Sequence, residues 1–127
     1  MQAINAIRMG GGDVLPLVEG GKGVAISNGT TAGHWAAAGG VGTLSAVNAD
    51  SYDEDGNPIP QIYHSRTRRE RHEELIEYAI RGAVTQARRA WDITGGKGRS
   101  HANILWEMGG AERIIDAVLT QAKGLIH

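Results

Sequence analysis

Cysteine is absent from the 127 residues. That excludes a disulfide framework, a thiolate metal site and a cysteine nucleophile. Phe is also missing and Pro occurs only three times, so this is no proline-rich linker. No apolar run approaches roughly 18 residues, so no segment reads as a membrane span. The N-terminus, Met1-Gln2-Ala3-Ile4-Asn5-Ala6-Ile7-Arg8, has no basic stretch leading into an apolar one. It does not read as a signal peptide, and a cytoplasmic location is expected. Neither charge sign is in excess: 13 Lys and Arg face 14 Asp and Glu, a formal charge of −1. Nucleic-acid binding has no electrostatic support in that balance. With 41% hydrophobic and 21% charged residues, the composition is that of a globular domain. What is abundant is glycine, 19 residues, about twice the usual share of roughly 7%. The glycines fall between apolar stretches, where they can serve as loop hinges.

Four short apolar runs read as buried strands: 14–18, 41–47, 102–106 and 124–127. Both faces of each are apolar and each is too short for a helix. The run 24–27 either extends the loop after the first strand or forms a brief strand of its own. Helical patterns separate these strands. The first is Ala-rich, 31–38, and is closed by Gly39-Gly40. The second spans about 67–93, opens on the capping box Thr67-Arg68-Arg69-Glu70, and carries a one-sided apolar stripe from Leu75 to Trp91. The third covers about 111–122. Strand and helix in alternation predict an α/β fold of parallel strands with crossover helices. The long irregular stretch 48–66 reads either as a lid or as a polar surface excursion. Arg66, Arg68, Arg69 and Arg71 interleave with Glu70, Glu73, Glu74 and Glu77, which predicts a solvated, ion-paired helix face.

Chemistry concentrates in Glu19-Gly20-Gly21-Lys22-Gly23, which follows the first run. Three glycines in four positions let the backbone approach a flat or anionic ligand and present its amides. The loop is not a dinucleotide fingerprint, because Ile26 stands where a further Gly would be needed. Nor is it a phosphate loop, because Gly23 follows Lys22 where Ser or Thr is required. Gly39-Gly40-Val41-Gly42 is explained by helix-to-strand packing, and Gly95-Gly96-Lys97-Gly98 reads as a connector. Asn103, polar in an apolar run, either bonds neighbouring backbone or points into a cavity to read the edge of a heterocycle. Glu107 either acts chemically or begins the next helix. His34, His64, His72, His101 and His127 form no metal pattern, and no metal is expected. His127 draws interest only as the end of the fourth run. Ser27 and Ser45 lack a base at a triad spacing.

Two segments together carry a family resemblance. Leu15-Pro16-Leu17-Val18-Glu19-Gly20-Gly21-Lys22-Gly23-Val24-Ala25-Ile26-Ser27 resembles the opening strand and flavin loop of the nitronate monooxygenases (2-nitropropane dioxygenase-like enzymes). Ala36-Ala37-Ala38-Gly39-Gly40-Val41-Gly42-Thr43-Leu44-Ser45-Ala46 resembles their next element, and Ala102-Asn103-Ile104-Leu105 their third strand. The family's usual Gln and Met are replaced here by Glu19 and Lys22.

The resemblance implies FMN as cofactor, with Gly20, Gly21, Lys22 and Gly23 passing under its ring and Asn103 bonding its edge. It implies oxidation of alkyl nitronates by dioxygen to a carbonyl compound and nitrite. It also implies the fold: parallel β/α units forming the first half of a TIM (β/α)8 barrel, with residues 1–127 ending on the fourth strand. A complete barrel needs roughly 200–250 residues. Activity is therefore expected of a longer parent, whose catalytic base lies beyond this stretch, and no catalytic residue is assigned here. Alone, such a half-barrel is expected to be marginally stable, to self-associate through exposed strand edges, and to bind FMN weakly or not at all. Two alternatives remain open. One is an NAD(P)H-dependent flavin or enoyl-thioester reductase of the same barrel family. The other is a self-contained flavodoxin-like module gripping a nucleotide or phosphate ligand.

Overall fold

The computed structural model describes residues 4–23, 25–53, 55 and 57–127. Met1 to Ala3, Val24, Glu54 and Gly56 lie outside the described residues, and with them parts of the leader reading, of the 24–27 run and of the irregular stretch 48–66. The chain opens with an antiparallel hairpin of β1 (Ile7–Met9) and β2 (Gly12–Val14). Helix α1 (Gly29–Ala37), strand β3 (Val41–Ser45), the long helix α2 (Arg68–Thr94), β4 (Arg99–Asn103) and α3 (Ala111–Gln121) follow. Strands β3 and β4 pair in parallel, with Val41 opposite Arg99 and Ser45 opposite Asn103.

The half-barrel expectation is overturned. The described residues hold two two-stranded sheets, one of them antiparallel, in place of four parallel β/α units. A self-contained flavodoxin-like sheet is absent for the same reason. Of the first expected strand, Val14 belongs to the hairpin, and the backbone of residues 15–19 pairs with β3 only at one isolated bridge among the described residues, Val18 with Val41. Pro16 has no N–H to give to a ladder, which keeps that segment from regular pairing. Of the last expected strand, only a bridge from Lys123 to Ile126 and the His127 N–H donated to the Ser100 carbonyl (2.9 Å) remain. Gly124, at φ 81°, turns the chain there. The third run begins three residues earlier than its apolar letters suggest. Polar Arg99, Ser100 and His101 pair with β3, whereas Ile104 to Trp106 leave the sheet.

The helices are those expected, within two residues at each end. Asn28 caps α1, its side chain accepting from the Thr30 and Thr31 amides. Thr67 and Glu70 form a reciprocal capping box on α2, which ends on left-handed Gly95. One side of β3–β4 is covered by all three helices. Leu44 packs with Ala32, Ala87, Ala90 and Ala122, while Ala46 and Ala49 pack with Ala79, Ala83, Ile114 and Val118. Alanine thus dominates the core. Gly42 belongs to the same packing, since a Cβ there would overlap the Ala32 backbone. The expectation that the 39–42 glycines serve helix-to-strand packing is met at this position.

Gln86, on α2, is a polar member of this core and only 1% exposed. Its Oε1 accepts the Gly29 N–H at the start of α1 (2.7 Å), and its Nε2 donates to the Tyr52 and Asp53 carbonyls. One side chain therefore ties the first helix to the loop after β3. Replacing it by leucine would strand the buried Gly29 amide. We expect Gln86→Leu to lose about 1–3 kcal/mol of stability, measured by urea denaturation, whereas Arg88→Ala on the exposed side of α2 changes it little.

Candidate functional site

Alternation along a strand separates the sheet's two sides. Gly42, Leu44, Ser100 and Ala102 face the helices. Val41, Thr43, Ser45, Arg99, His101 and Asn103 share the other side, which is largely polar. Across the C-terminal half of that side runs the loop 19–27.

Its course is set from both ends. The Glu19 amide donates to the Val41 carbonyl (2.9 Å), and the buried Glu19 carboxylate accepts the Thr43 N–H (3.0 Å). At the far end the Ala25 N–H donates to the Val47 carbonyl, and the Ser45 N–H to the Ser27 carbonyl. Buried Ser27 closes the loop on itself. Its hydroxyl donates to the Gly20 carbonyl (2.9 Å) and accepts the Lys22 amide (3.0 Å), and its own amide donates to the Lys22 carbonyl. Ala25 takes left-handed geometry at φ 60°. A non-glycine residue is seldom held so unless its surroundings require it.

The five residues singled out from the sequence divide as follows. Gly21 and Asn103 meet. Asn103 Nδ2 donates to the Gly21 carbonyl (2.6 Å), and a Cβ on Gly21 would stand 2.6 Å from the Asn103 Cβ and 2.9 Å from Thr43 Cγ2. Only glycine lets the loop lie this close. Gly20 and Gly23 have open space where a side chain would project. Among the described residues, the Gly20, Gly21 and Gly23 amides find no acceptor, whereas the Lys22 amide is committed to Ser27. The Lys22 side chain is exposed on the loop. Asn103 is not the buried amide its neighbours suggested. It is exposed at the last position of β4 and acts as a tether for the loop.

Thr43 adds a feature invisible in the sequence. It is 8% exposed, and its sealed hydroxyl has no hydrogen-bond partner among the described residues. A buried hydroxyl without a partner is uncommon and calls for one. Three unengaged loop amides thus lie on the loop that crosses this side of the strand pair, with Gly21 packed against Thr43, whose own hydroxyl is sealed. That donor set suits a flat ligand with acceptor atoms along its edge. Sequence reading named Glu19 with the loop without giving it this anchoring part, weighed Ser27 only as a triad serine and did not single out Thr43; nothing local marks the roles of Ser27 or Thr43.

The remaining candidates lie elsewhere. Glu107 sits exposed in the turn before α3 rather than in its first helical turn. Glu73 and Glu77 pair with Arg113 of α3, at 2.6 and 2.5 Å, instead of with the arginines of their own helix. Glu70 caps α2, and Glu74 accepts the His64 and Ser65 amides and the Ser65 hydroxyl. Among the described residues no three His, Asp or Glu side chains converge as a metal site, and no helix is long and apolar enough to cross a membrane.

His127 lies beside Ser100 and Arg99, at the start of β4, opposite the end that carries Asn103. It is therefore remote from the loop. Compared with known proteins, the chain matches no family, no curated protein and no solved structure.

Partial burial, and then the nearby Arg99 charge, hold the His127 imidazole below its ordinary value of 6.5. The unfolded chain therefore takes up this proton first as pH falls. The stabilising contribution is complete above pH 6.5 and is lost as pH falls through the folded value. Urea denaturation between pH 8 and pH 5, at intervals of about half a unit, should show a decline on the acid side that is shallower in His127→Gln.

Proposed function

We propose that this chain supplies the flavin-gripping part of an FMN-dependent oxidoreductase of the nitronate monooxygenase type. One observation carries the reading. Gly21 and Asn103, 82 positions apart, meet at the C-terminal end of β4, on a loop whose Gly20, Gly21 and Gly23 amides are unengaged among the described residues. The donor set fits the acceptor-rich edge of an isoalloxazine, and the open space over Gly20 and Gly23 accommodates a planar ring. When bound, FMN would take electrons from an alkyl nitronate and pass them to dioxygen, giving a carbonyl compound and nitrite.

The protein's own part is positional. Asn103 holds the Gly21 carbonyl, Ser27 pins Gly20 and Lys22, and Glu19 fixes the loop to β3. Those contacts leave the amides preorganised, so that binding need not order them. Lys22, on the same loop, would favour an anionic reduced ring. A cytoplasmic setting, and dioxygen or NAD(P)H as the second substrate, belong to the same reading. So does self-association, favoured by apolar side chains such as Leu17, Ile26 and Trp106 that remain exposed.

Titration of FMN into the isotopically labelled chain tests this, read by amide NMR together with flavin fluorescence. We expect weak, saturable shifts at Gly20, Gly21, Gly23 and Thr43. Asn103→Ala should weaken binding by about tenfold, the equivalent of one charge-free hydrogen bond. Absence of shifts at those amides at millimolar FMN would overturn the assignment, as would an unchanged affinity in Asn103→Ala.

A further inference from the structure

A separate cavity of about 220 Å³ opens between the 48–61 stretch, the N-terminal half of α2 and the turn after β4. Neither the glycine loop nor Asn103 lines it. It is lined by apolar Leu75, Ile76, Ala79 and Met108 and by polar Asn48, Asp50, Gln61 and His72.

Asp50 is the unusual member. It is 6% exposed, yet among the described residues no Lys, Arg or His lies within ion-pair distance of it. One oxygen, Oδ2, accepts the Gln61 side-chain amide. The Gln61 carbonyl oxygen in turn accepts the Tyr63 hydroxyl, so this network presents the amide's N–H end to Asp50. The other oxygen, Oδ1, takes no hydrogen bond from a described residue and is not among the sealed unpartnered atoms. A nearly buried carboxylate with one neutral partner is costly unless a positive group completes it.

The surroundings hold this arrangement in place. Tyr78 donates to the Ile62 carbonyl (2.7 Å), Tyr63 packs edge-on against Tyr78 with ring centres 6.1 Å apart, and Arg71 covers Tyr63. The stretch carrying Gln61 and Tyr63 is thus strapped along α2. Across the opening, the His72 ring rests against Gly109, where a side chain would collide with it. Asn48, another lining residue, is held in left-handed geometry at φ 53°. Strain of that kind in a non-glycine residue persists only where the surroundings over-determine it.

We propose that this cavity binds a small organic ammonium ion, its –NH3+ on Asp50 Oδ1 and its hydrocarbon body against Leu75, Ile76, Ala79 and Met108. A cavity of roughly 150 Å³ holds benzene, so the space suits a single ring or a short branched chain. A carboxylate in a lining that is otherwise partly hydrocarbon selects a cation with an apolar tail over an anion or a sugar. This site stands independently of the flavin reading, because no flavin contact enters it.

The test is a titration of the flavin-free full chain with benzylammonium and, separately, with benzyl alcohol, followed at the Ala79 and Met108 methyls and the Asp50 amide. Benzylammonium should bind saturably and at least about tenfold more tightly than the alcohol, since only the cation makes a charge-assisted bond. Asp50→Asn should erase that preference. Leu75→Trp, which adds bulk to the lining and leaves the Asp50 carboxylate in place, should weaken both probes even if Asp50→Asn fails to fold. Equal affinity for the two probes would overturn the proposal. So would shifts away from the cavity, a preference retained in Asp50→Asn, or undiminished binding in Leu75→Trp.

Discussion

Helix α1 meets α2 and β3 through a surface nearly free of side chains, and the rest of the structure depends on that contact. Gly29, Ala32, Gly33 and Ala36 of α1 are buried, facing Ala87, Ala90 and Gln86 of α2. A side chain at Gly29 or Gly33 would run into α2, and one at Gly42 into α1. With large side chains excluded, backbone comes close to backbone, and dispersion over many short contacts replaces the bulk that Phe would otherwise supply. A core built this way has no slack to absorb an added methylene.

Close packing on one side of β3–β4 leaves polar residues on the other. Because the helices cover Gly42, Leu44, Ser100 and Ala102, the alternation of the strands turns Thr43, His101 and Asn103 away from them. The loop 19–27 is laid over this polar side by hydrogen bonds to β3 at both ends and by Ser27 within. The loop is therefore tethered at both ends and by Ser27 within, where its glycines alone would allow freedom.

The acidic residues of α2 illustrate a related point. Interleaved Arg and Glu suggest pairing along one helix, yet the carboxylates serve neighbouring elements. Glu73 and Glu77 clamp Arg113 of α3, Glu74 gathers the amides at 64 and 65, and Glu70 caps its own helix. Exposed pairs on a single helix are worth only tenths of a kcal/mol, about 0.3–0.5. A contact that joins two elements also fixes their relative position. The long stretch after β3 is fastened in the same manner, through Tyr78, Glu74 and Gln86, and so runs as a strap along α2.

Local periodicity and capping chemistry were enough to place all three helices. Thr67 with Glu70, the apolar stripe of α2 and Gly95 are signals that act within a few residues. The amino-acid order likewise singled out Gly20 to Gly23 and Asn103, because glycine spacing and a polar residue in an apolar run are visible in one dimension. Strand pairing was not legible in that way. An apolar run suggests burial, yet Leu17 and Val18 stand exposed, Leu125 and Ile126 are only half-buried, and neither run forms a ladder, interrupted as they are by Pro16 and Gly124. Polar Arg99 to His101 form a strand because β3 supplies their partners. Only the tertiary structure could bring Asn103 to Gly21, leave the Thr43 hydroxyl without a partner, and bury Asp50 without a cation. Each of these is a relation between residues far apart in the chain, and hydrogen-bond satisfaction and burial are decided by neighbours in space.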